Sequence, residues 1–278
     1  MKLNWFESVL YGLFSGLTDI LPVSAQAHQI LMLKFFGIKG NMELVDLLVH
    51  IAVALALYSS CRTQLIRMGR AETLSRTPKK KRKRPLDVRS MMDLSMLKTM
   101  LVPVILGLFL YRKAQNMAGN LILLSIVLLG NAIILYVPQF LPGSNRDSRT
   151  LSRVEGLLMG LGGAVSVIPG ISAIGATVSI GSVCGVERTY GLNMALMMDL
   201  FLTIGLIVFD VMDLLGNGLG VLSATIILRY LMTAAIAYCA ASFGIRLLRQ
   251  CAENQGYSVF AFYSFGQALF TFILNLMA

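Results

Sequence analysis

The sequence is dominated by long apolar stretches separated by short polar segments. Six stretches have, or nearly have, the about 17–25 residues that a helix needs to cross the hydrocarbon core of a bilayer. They are residues 44–61, 95–111, 120–137, 192–214, 219–243 and 256–277. The composition agrees, because 56% of the 278 residues are hydrophobic and only 14% are charged, too little polar surface for a water-soluble protein. The pattern predicts an all-α polytopic membrane protein with six transmembrane helices.

Two further apolar stretches are broken by Pro, Gly and hydroxyl residues. The first interruption is residues 22–28 (PVSAQAH) and the second is residues 169–177 (PGISAIGAT). Each divides its stretch into halves that are too short to cross, and unpaired backbone cannot face lipid. The two segments are therefore predicted to form two re-entrant helix pairs.

The interruptions occupy equivalent places in the two halves of the chain. An offset of 148 residues aligns Gly12 with Gly160 and Ser24 with Ser172. Three predicted spans separate the interruptions, so the second one enters from the opposite face of the membrane. We expect one membrane domain, residues 1–278, built from inverted-topology repeats at 1–138 and 150–278. Paired interruptions of this kind indicate a binding site where they meet.

Most of the net charge of +10 comes from one segment. Residues 62–89 contain eleven Lys or Arg against only Glu72 and Asp87. A basic loop belongs on the cytoplasmic side, where it also contacts anionic phospholipid headgroups. The run at 78–84 (PKKKRKR) fits a nucleic-acid patch as well, but in a six-span protein it indicates topology, and no nucleic-acid partner is expected. Both termini then lie on the outer side.

The second interruption suits an anionic ligand. Gly170 and Gly175 flank a turn that should open a helix, whose free N–H groups and positive dipole end favour phosphate. Ser172 and Thr177 add hydroxyl donors.

The first interruption contributes Ser24, Gln26 and His28, with Asp19 nine residues before the histidine. An Asp and a His near a phosphate indicate acid–base or metal-assisted phosphoryl chemistry. The spacing alone does not distinguish an enzyme from the binding pocket of a transporter. Ionisable residues inside a membrane are functional hypotheses by default. The other four are Asp46, His50, Asp199 and Asp210.

These motifs carry a family resemblance. Residues 12–24 (GLFSGLTDILPVS) followed by His28 resemble the first signature of the undecaprenyl-diphosphate phosphatase (bacitracin-resistance) family, and residues 168–172 with 175–177 resemble its second. The likeness extends along the whole chain, to residues 49–50, 185–188 and 260–263.

The resemblance implies an enzyme of the bacterial cytoplasmic membrane that recycles the cell-wall lipid carrier. Its substrate is a polyprenyl (C55) diphosphate, from which it removes the terminal phosphate at a site toward the outer face. A divalent cation, Mg or Ca, assists, with Asp19 as the candidate ligand. The implied catalytic residues are His28, Asp19 and Ser24, and a homodimer is left open. The implied phosphate-binding residues are Ser172, Gly170, Gly175, Thr177 and Gln26.

The chain departs from the family pattern at several chemical positions. Ser15 and Asp19 stand where the family has two glutamates, Ala25 replaces a serine, and Ala173 replaces a phosphate-clamping arginine. Phosphoryl transfer depends on neutralising charge, so these losses predict weaker catalysis. The alternative is a relative that binds or translocates polyprenyl phosphates without cleaving them. One hypothesis is that Asp199 supplies the carboxylate lost at Ser15; the other is that it makes a polar contact between helices.

Overall fold

The computed structural model describes residues 3–38, 42–78, 85–218, 223–253 and 257–277. Within these ranges the regular secondary structure is helical, with ten α-helices and one 3-10 turn at Val137–Phe140. The helices are α1 Trp5–Ile20, α2 Ala25–Phe35, α3 Glu43–Arg76, α4 Val88–Gln115, α5 Leu121–Tyr136, α6 Arg153–Val165, α7 Ala173–Val183, α8 Arg188–Asn217, α9 Ala224–Glu253 and α10 Ser258–Met277.

Six of the described helices are long and apolar enough to span a membrane, α5 together with its 3-10 turn. They are α3, α4, α5, α8, α9 and α10. Large apolar side chains such as Phe109, Leu106 and Ile133 project outward from them. So much exposed apolar surface fits a lipid environment and not water. The prediction of an all-α protein is confirmed for the described residues, and six of its helices have the length and apolar composition of membrane spans.

The basic segment, residues 62–89, was predicted to be a loop, but much of it is helical. Helix α3 continues past the apolar stretch to Arg76, and α4 begins at Val88, so only residues between them are non-helical or outside the described residues. The extension is rich in long unbranched side chains, which favour helix, and its first proline is Pro78. Glu72 ties it to Lys98 of α4 by an ion pair of 3.3 Å. The basic run at 79–84 lies outside the described residues.

The four remaining helices form two hairpins, α1 with α2 and α6 with α7. They contain 16, 11, 13 and 11 residues, so each is about 16–24 Å long and shorter than the hydrocarbon core. Their caps repeat at the offset of 148 residues seen in the sequence. Asn4 with Glu7 forms a capping box at α1, and Ser152 with Glu155 forms one at α6. The same offset relates the serine caps of α2 and α7, which are Ser24 and Ser172.

Each hairpin packs against a span from the other half of the chain, α1 on α9 and α6 on α4. Glycines bring these helices into backbone contact. A Cβ on Gly12 would lie 2.4 Å from the carbonyl oxygen of Thr233, and one on Gly160 would lie 2.2 Å from that of Met100. Close approach through small residues is the usual way in which membrane helices associate. Helices α3 and α8 pack together at the centre, and α5 packs on α10.

Candidate functional site

The two interruptions meet inside the protein, as the sequence predicts. The backbone N–H of Gly170 donates a hydrogen bond of 3.1 Å to Ser24 Oγ, and both groups are buried. A Cβ on Gly175 would lie 2.7 Å from the Cβ of Pro22. Ser24 has φ 63°, which non-glycine residues seldom adopt, and Gly170 has φ 112°. Such strain persists only where the surroundings enforce it, and it concentrates at functional sites.

Asn131 of α5 ties the two interruptions together. Its Oδ1 accepts the N–H of Ser172 at 3.0 Å, and its Nδ2 lies 3.4 Å from the carbonyl oxygen of Pro22. Nδ2 also donates to Ser264 Oγ of α10 at 3.1 Å, and the residue is fully buried. The sequence reasoning missed it. The available signal was a lone carboxamide inside an otherwise apolar span, where polar residues commonly bond across helices.

A small polar cavity of ≈ 40 Å³ lies between the two interruptions and α8. By its volume it holds a few water molecules or a partly hydrated ion, but not an isoprenoid chain. The first turns of α2 and α7 both line it, so two positive helix ends face one space. None of the described residues lining it is Lys, Arg or His. The polar lining residues are Thr18, Asp19, Gln26, Ser166, Ser172, Asp199 and Thr203.

The cavity contains two carboxylates, each with one oxygen that has no hydrogen-bond partner among the described residues. Asp199 is only 4% exposed. Among the described residues, neither its Oδ2 nor the Oδ2 of Asp19 has a hydrogen-bond partner. Leaving a buried carboxylate oxygen unpaired is costly, so the pair is suited to binding a cation or a proton. No group of three or more His, Cys, Asp or Glu that could hold a metal is found in the described ranges, so neutral oxygens would have to complete a metal site.

His28 is not one of the residues that line the polar cavity. Its Nδ1 is 2.8 Å from the carbonyl oxygen of Ser24, and its Nε2 is 2.8 Å from Tyr263 Oη. The ring stacks on Tyr263, and Gln267 Nε2 is 3.2 Å from Nδ1. His28 faces a second, mostly apolar cavity between α1, α2 and α10. Its ring is therefore oriented by Ser24 and Tyr263 and not by Asp19.

The other predicted residues fall into two groups. Gln26 and Ser172 line the polar cavity. Gly170 donates to Ser24, and Gly175 donates its N–H to Ser172 Oγ at 3.2 Å. Thr177 is fully buried, with its hydroxyl 3.5 Å from the sulfur of Met198. Gly170, Gly175 and Thr177 are not among the lining residues of the polar cavity. The catalytic assignments of His28 and Ser24 stay predictions.

Of the positions that depart from the family pattern, some line the polar cavity and others do not. Ala25 and Ala173 both line the polar cavity. Ser15 is buried away from its lining, and Gln29 Nε2 donates to its Oγ at 3.4 Å. The second carboxylate of the cavity therefore comes from Asp199 on α8.

The remaining intramembrane ionisable residues pair with their neighbours. Tyr11 Oη donates to Asp46 Oδ1 at 2.5 Å, and His50 Nδ1 lies 2.6 Å from Asp210 Oδ2. These contacts join α1 to α3 and α3 to α8. A hydrogen-bonded partner offsets part of the cost of burying an ionisable side chain.

Comparison with known proteins gives a consistent result. Residues 8–270 match the family model described as bacitracin resistance protein BacA. An undecaprenyl-diphosphatase of Nocardioides sp. is 26% identical, with 98% of this chain and 96% of that protein covered. An undecaprenyl-diphosphatase of Methanobrevibacter smithii is 25% identical, with 92% of each chain covered. Undecaprenyl-diphosphatase 1 of Shouchella clausii is 24% identical, with 98% and 97% covered.

Proposed function

Because the chain belongs to the bacitracin resistance protein BacA family, we propose that it is an undecaprenyl-diphosphatase of a multi-pass membrane type. It hydrolyses a polyprenyl diphosphate to polyprenyl phosphate and inorganic phosphate. The observation that carries the proposal is the polar cavity, in which two helix N-termini and the carboxylate of Asp19 converge where the two interruptions meet. The alternative, a relative that binds or translocates polyprenyl phosphates, is not favoured, since the relatives compared above are named for hydrolysis.

The terminal phosphate binds at the N-termini of α2 and α7. Backbone N–H groups, the Ser172 hydroxyl and the Gln26 amide donate hydrogen bonds to its oxygens. A water molecule attacks the terminal phosphorus, one carboxylate oxygen of Asp19 accepts its proton while the other is free to hold a cation, and the P–O bond to the bridging oxygen breaks so that the polyprenyl phosphate leaves. A bound Mg²⁺ or Ca²⁺ supplies charge neutralisation, which the missing arginine at Ala173 does not.

The polyprenyl chain lies in an apolar groove between α4 and α6. This groove has a volume of ≈ 530 Å³ and shares Val167 with the polar cavity. Leu106, Leu110 and Leu161 line it, and Lys113 stands at the end of α4. A lipid in this position places its chain among apolar side chains and its diphosphate beside the carboxylates of the cavity.

We further propose that the two hairpins are re-entrant and enter from opposite faces, as an inverted repeat. The 148-residue offset between capping residues and the matched packing of α1 on α9 and α6 on α4 support this arrangement. The chain resides in the bacterial cytoplasmic membrane, with segment 62–89 in the cytoplasm against anionic headgroups. The polar cavity opens to the outer face, where Gln26 contacts Gln115 at the end of α4. Association of two copies stays a prediction.

A phosphate-release assay tests the proposed activity. The purified protein in detergent, with C55 polyprenyl diphosphate and Mg²⁺ or Ca²⁺, should release inorganic phosphate. Asp19→Asn should slow release by about 10²–10⁴-fold, the typical contribution of a positioned acid or base. Asp213→Asn serves as the matched control, because Asp213 pairs with Arg112 near the end of α8. No release from the wild-type protein, together with retained binding of polyprenyl phosphate, would contradict hydrolysis and favour the binding or translocating relative.

A further inference from the structure

We propose that Asp19 of α1 and Asp199 of α8 form, across the polar cavity, a two-carboxylate site for a divalent cation of the Mg²⁺ or Ca²⁺ class. Binding of the cation to this cavity does not depend on whether the protein is a phosphatase. Only the part that the cation plays in hydrolysis rests on the proposed function.

The first argument is the state of the two carboxylates. Asp199 is almost completely buried, and it lines the same cavity as Asp19. Each has an Oδ2 atom without a hydrogen-bond partner in the described part of the chain. A carboxylate that served only to hold two helices together would accept hydrogen bonds from donors on the neighbouring helix. These oxygens instead remain available to a ligand.

The second argument is the charge balance of the cavity. Two buried carboxylates repel each other, and a diphosphate would add further negative charge. The described lining offers no Lys, Arg or His to offset it. His50 is close enough to Asp19 to interact with it electrostatically, but it is paired with Asp210 at 2.6 Å and is not a lining residue of the cavity. The N-termini of α2 and α7 supply only partial positive charge to this space, and a divalent cation would offset the negative charge that Asp19, Asp199 and an anionic substrate bring together.

The third argument is the chemistry of the lining. Hard divalent cations take oxygen ligands, and they combine carboxylates with neutral oxygens and water. Ser172, Thr203 and Gln26 place neutral oxygens around the same cavity. The volume of ≈ 40 Å³ suits an ion that keeps part of its water shell. Cys and His ligands, which softer metals prefer, are not among the described lining residues.

The location of Asp199 also bears on a departure from the family pattern. Ser15 stands where the family pattern has a glutamate, and it lies outside the cavity lining. Asp199 brings a carboxylate to the cavity from α8. The carboxylate pair is thus completed from a different helix.

Mn²⁺ binding to the full chain in detergent, without substrate, tests the site. Mn²⁺ is a spectroscopic substitute for Mg²⁺, and electron paramagnetic resonance gives the free and bound fractions. We expect one bound Mn²⁺ that Mg²⁺ or Ca²⁺ displaces. Asp199→Asn and Asp19→Asn should each weaken binding at least tenfold. Asp213→Asn, on the same helix as Asp199, should bind as the wild type does. Gel filtration and circular dichroism check that each variant is folded.

Phosphate release measured against Mg²⁺ concentration separates the two proposals. Asp199→Asn should raise the Mg²⁺ concentration at half-maximal rate at least tenfold. If the wild type releases phosphate but folded Asp199→Asn binds Mn²⁺ as the wild type does, the cation site is wrong and the proposed function stands. If Mn²⁺ binding depends on Asp199 but no phosphate is released, the cation site stands and the proposed function is wrong.

Discussion

At the scale of single residues, the backbone and the side chain of Ser24 favour different amino acids. Its hydroxyl caps α2 and also accepts the N–H of Gly170 from the other half of the chain. Its backbone is held at φ 63°, where a side chain is disfavoured. Glycine would suit the backbone, but only a short hydroxyl side chain supplies the acceptor.

Substitutions at Ser24 should separate the two effects. Ser24→Ala leaves the buried Gly170 N–H without its acceptor and should lower the free energy of unfolding by about 1–3 kcal/mol. Ser24→Gly loses the same bond but relieves the strained backbone, so it should be about 1 kcal/mol more stable than Ser24→Ala. Unfolding by SDS in mixed micelles measures the difference. Equal stability of wild type and Ser24→Ala would show that the bond contributes nothing.

The sequence motifs predicted those site residues that lie in or near the two interruptions. They did not predict a residue that reaches the site from a helix distant in the sequence. Asp19, Gln26 and Ser172 were identified because each lies next to a Pro or Gly interruption, and all three line the cavity. Asn131 was not identified, since its partners Pro22 and Ser172 are far away in the sequence. Spacing along a chain does not show which residues of a distant helix turn toward an interruption.

At the scale of helices, the contacts of α1 with α9 depend on glycines. A Cβ on Gly16 would lie 2.2 Å from the carbonyl oxygen of Ala237, which is backbone and cannot move aside. Any side chain there must push the helices apart. Gly130 in α5 is different, because no atom outside its own helix lies within 4 Å of a Cβ there.

Alanine at these two glycines should therefore have opposite effects. Gly16→Ala should destabilise the protein by about 1–3 kcal/mol, as overpacking does, and should reduce phosphate release by displacing Asp19. Gly130→Ala should be neutral or stabilising by up to about 1 kcal/mol, because alanine is the better helix former. Thermal unfolding in detergent compares the two variants. If the Gly16→Ala and Gly130→Ala proteins were equally stable, α1 and α9 would not be in the close backbone contact described above.

Helix positions were predicted better than helix ends. Apolar length identified all six spans, since the bilayer core demands about the same number of residues from each. It placed the end of α3 too early, because the helix continues as a polar, basic extension to Arg76. Hydrophobicity marks where a helix leaves lipid, whereas propensity and Pro78 determine where the helix stops.

At the scale of the whole molecule, the two halves supply matching parts. The hairpin of each half packs on a span of the other, and α5 and α10 pack together. An inverted repeat requires the segment after α5 and the C-terminal end of α8 to lie on opposite sides of the membrane.

Labelling of single cysteines tests this topology. In a chain without Cys61, Cys184, Cys239 and Cys251, a cysteine at Asn217 should react with an impermeant maleimide added to intact cells. A cysteine at Asn145 should react only after the membrane is opened. Both positions are exposed, so burial does not explain a difference. Labelling of both from the same side would exclude the inverted arrangement.

The hydrogen bond between Ser24 and Gly170 also has a consequence for biosynthesis. Its two residues leave the ribosome far apart in time, and the first hairpin inserts before its partner exists. Until the second half arrives, Ser24 Oγ has the N–H of Ala27 but not that of Gly170, and the lipid core offers no substitute for the missing donor. A chain that stops after residue 138 therefore lacks the N–H of Gly170 that Ser24 accepts in the full-length protein, and we expect its first hairpin to be less stable than in the full-length protein.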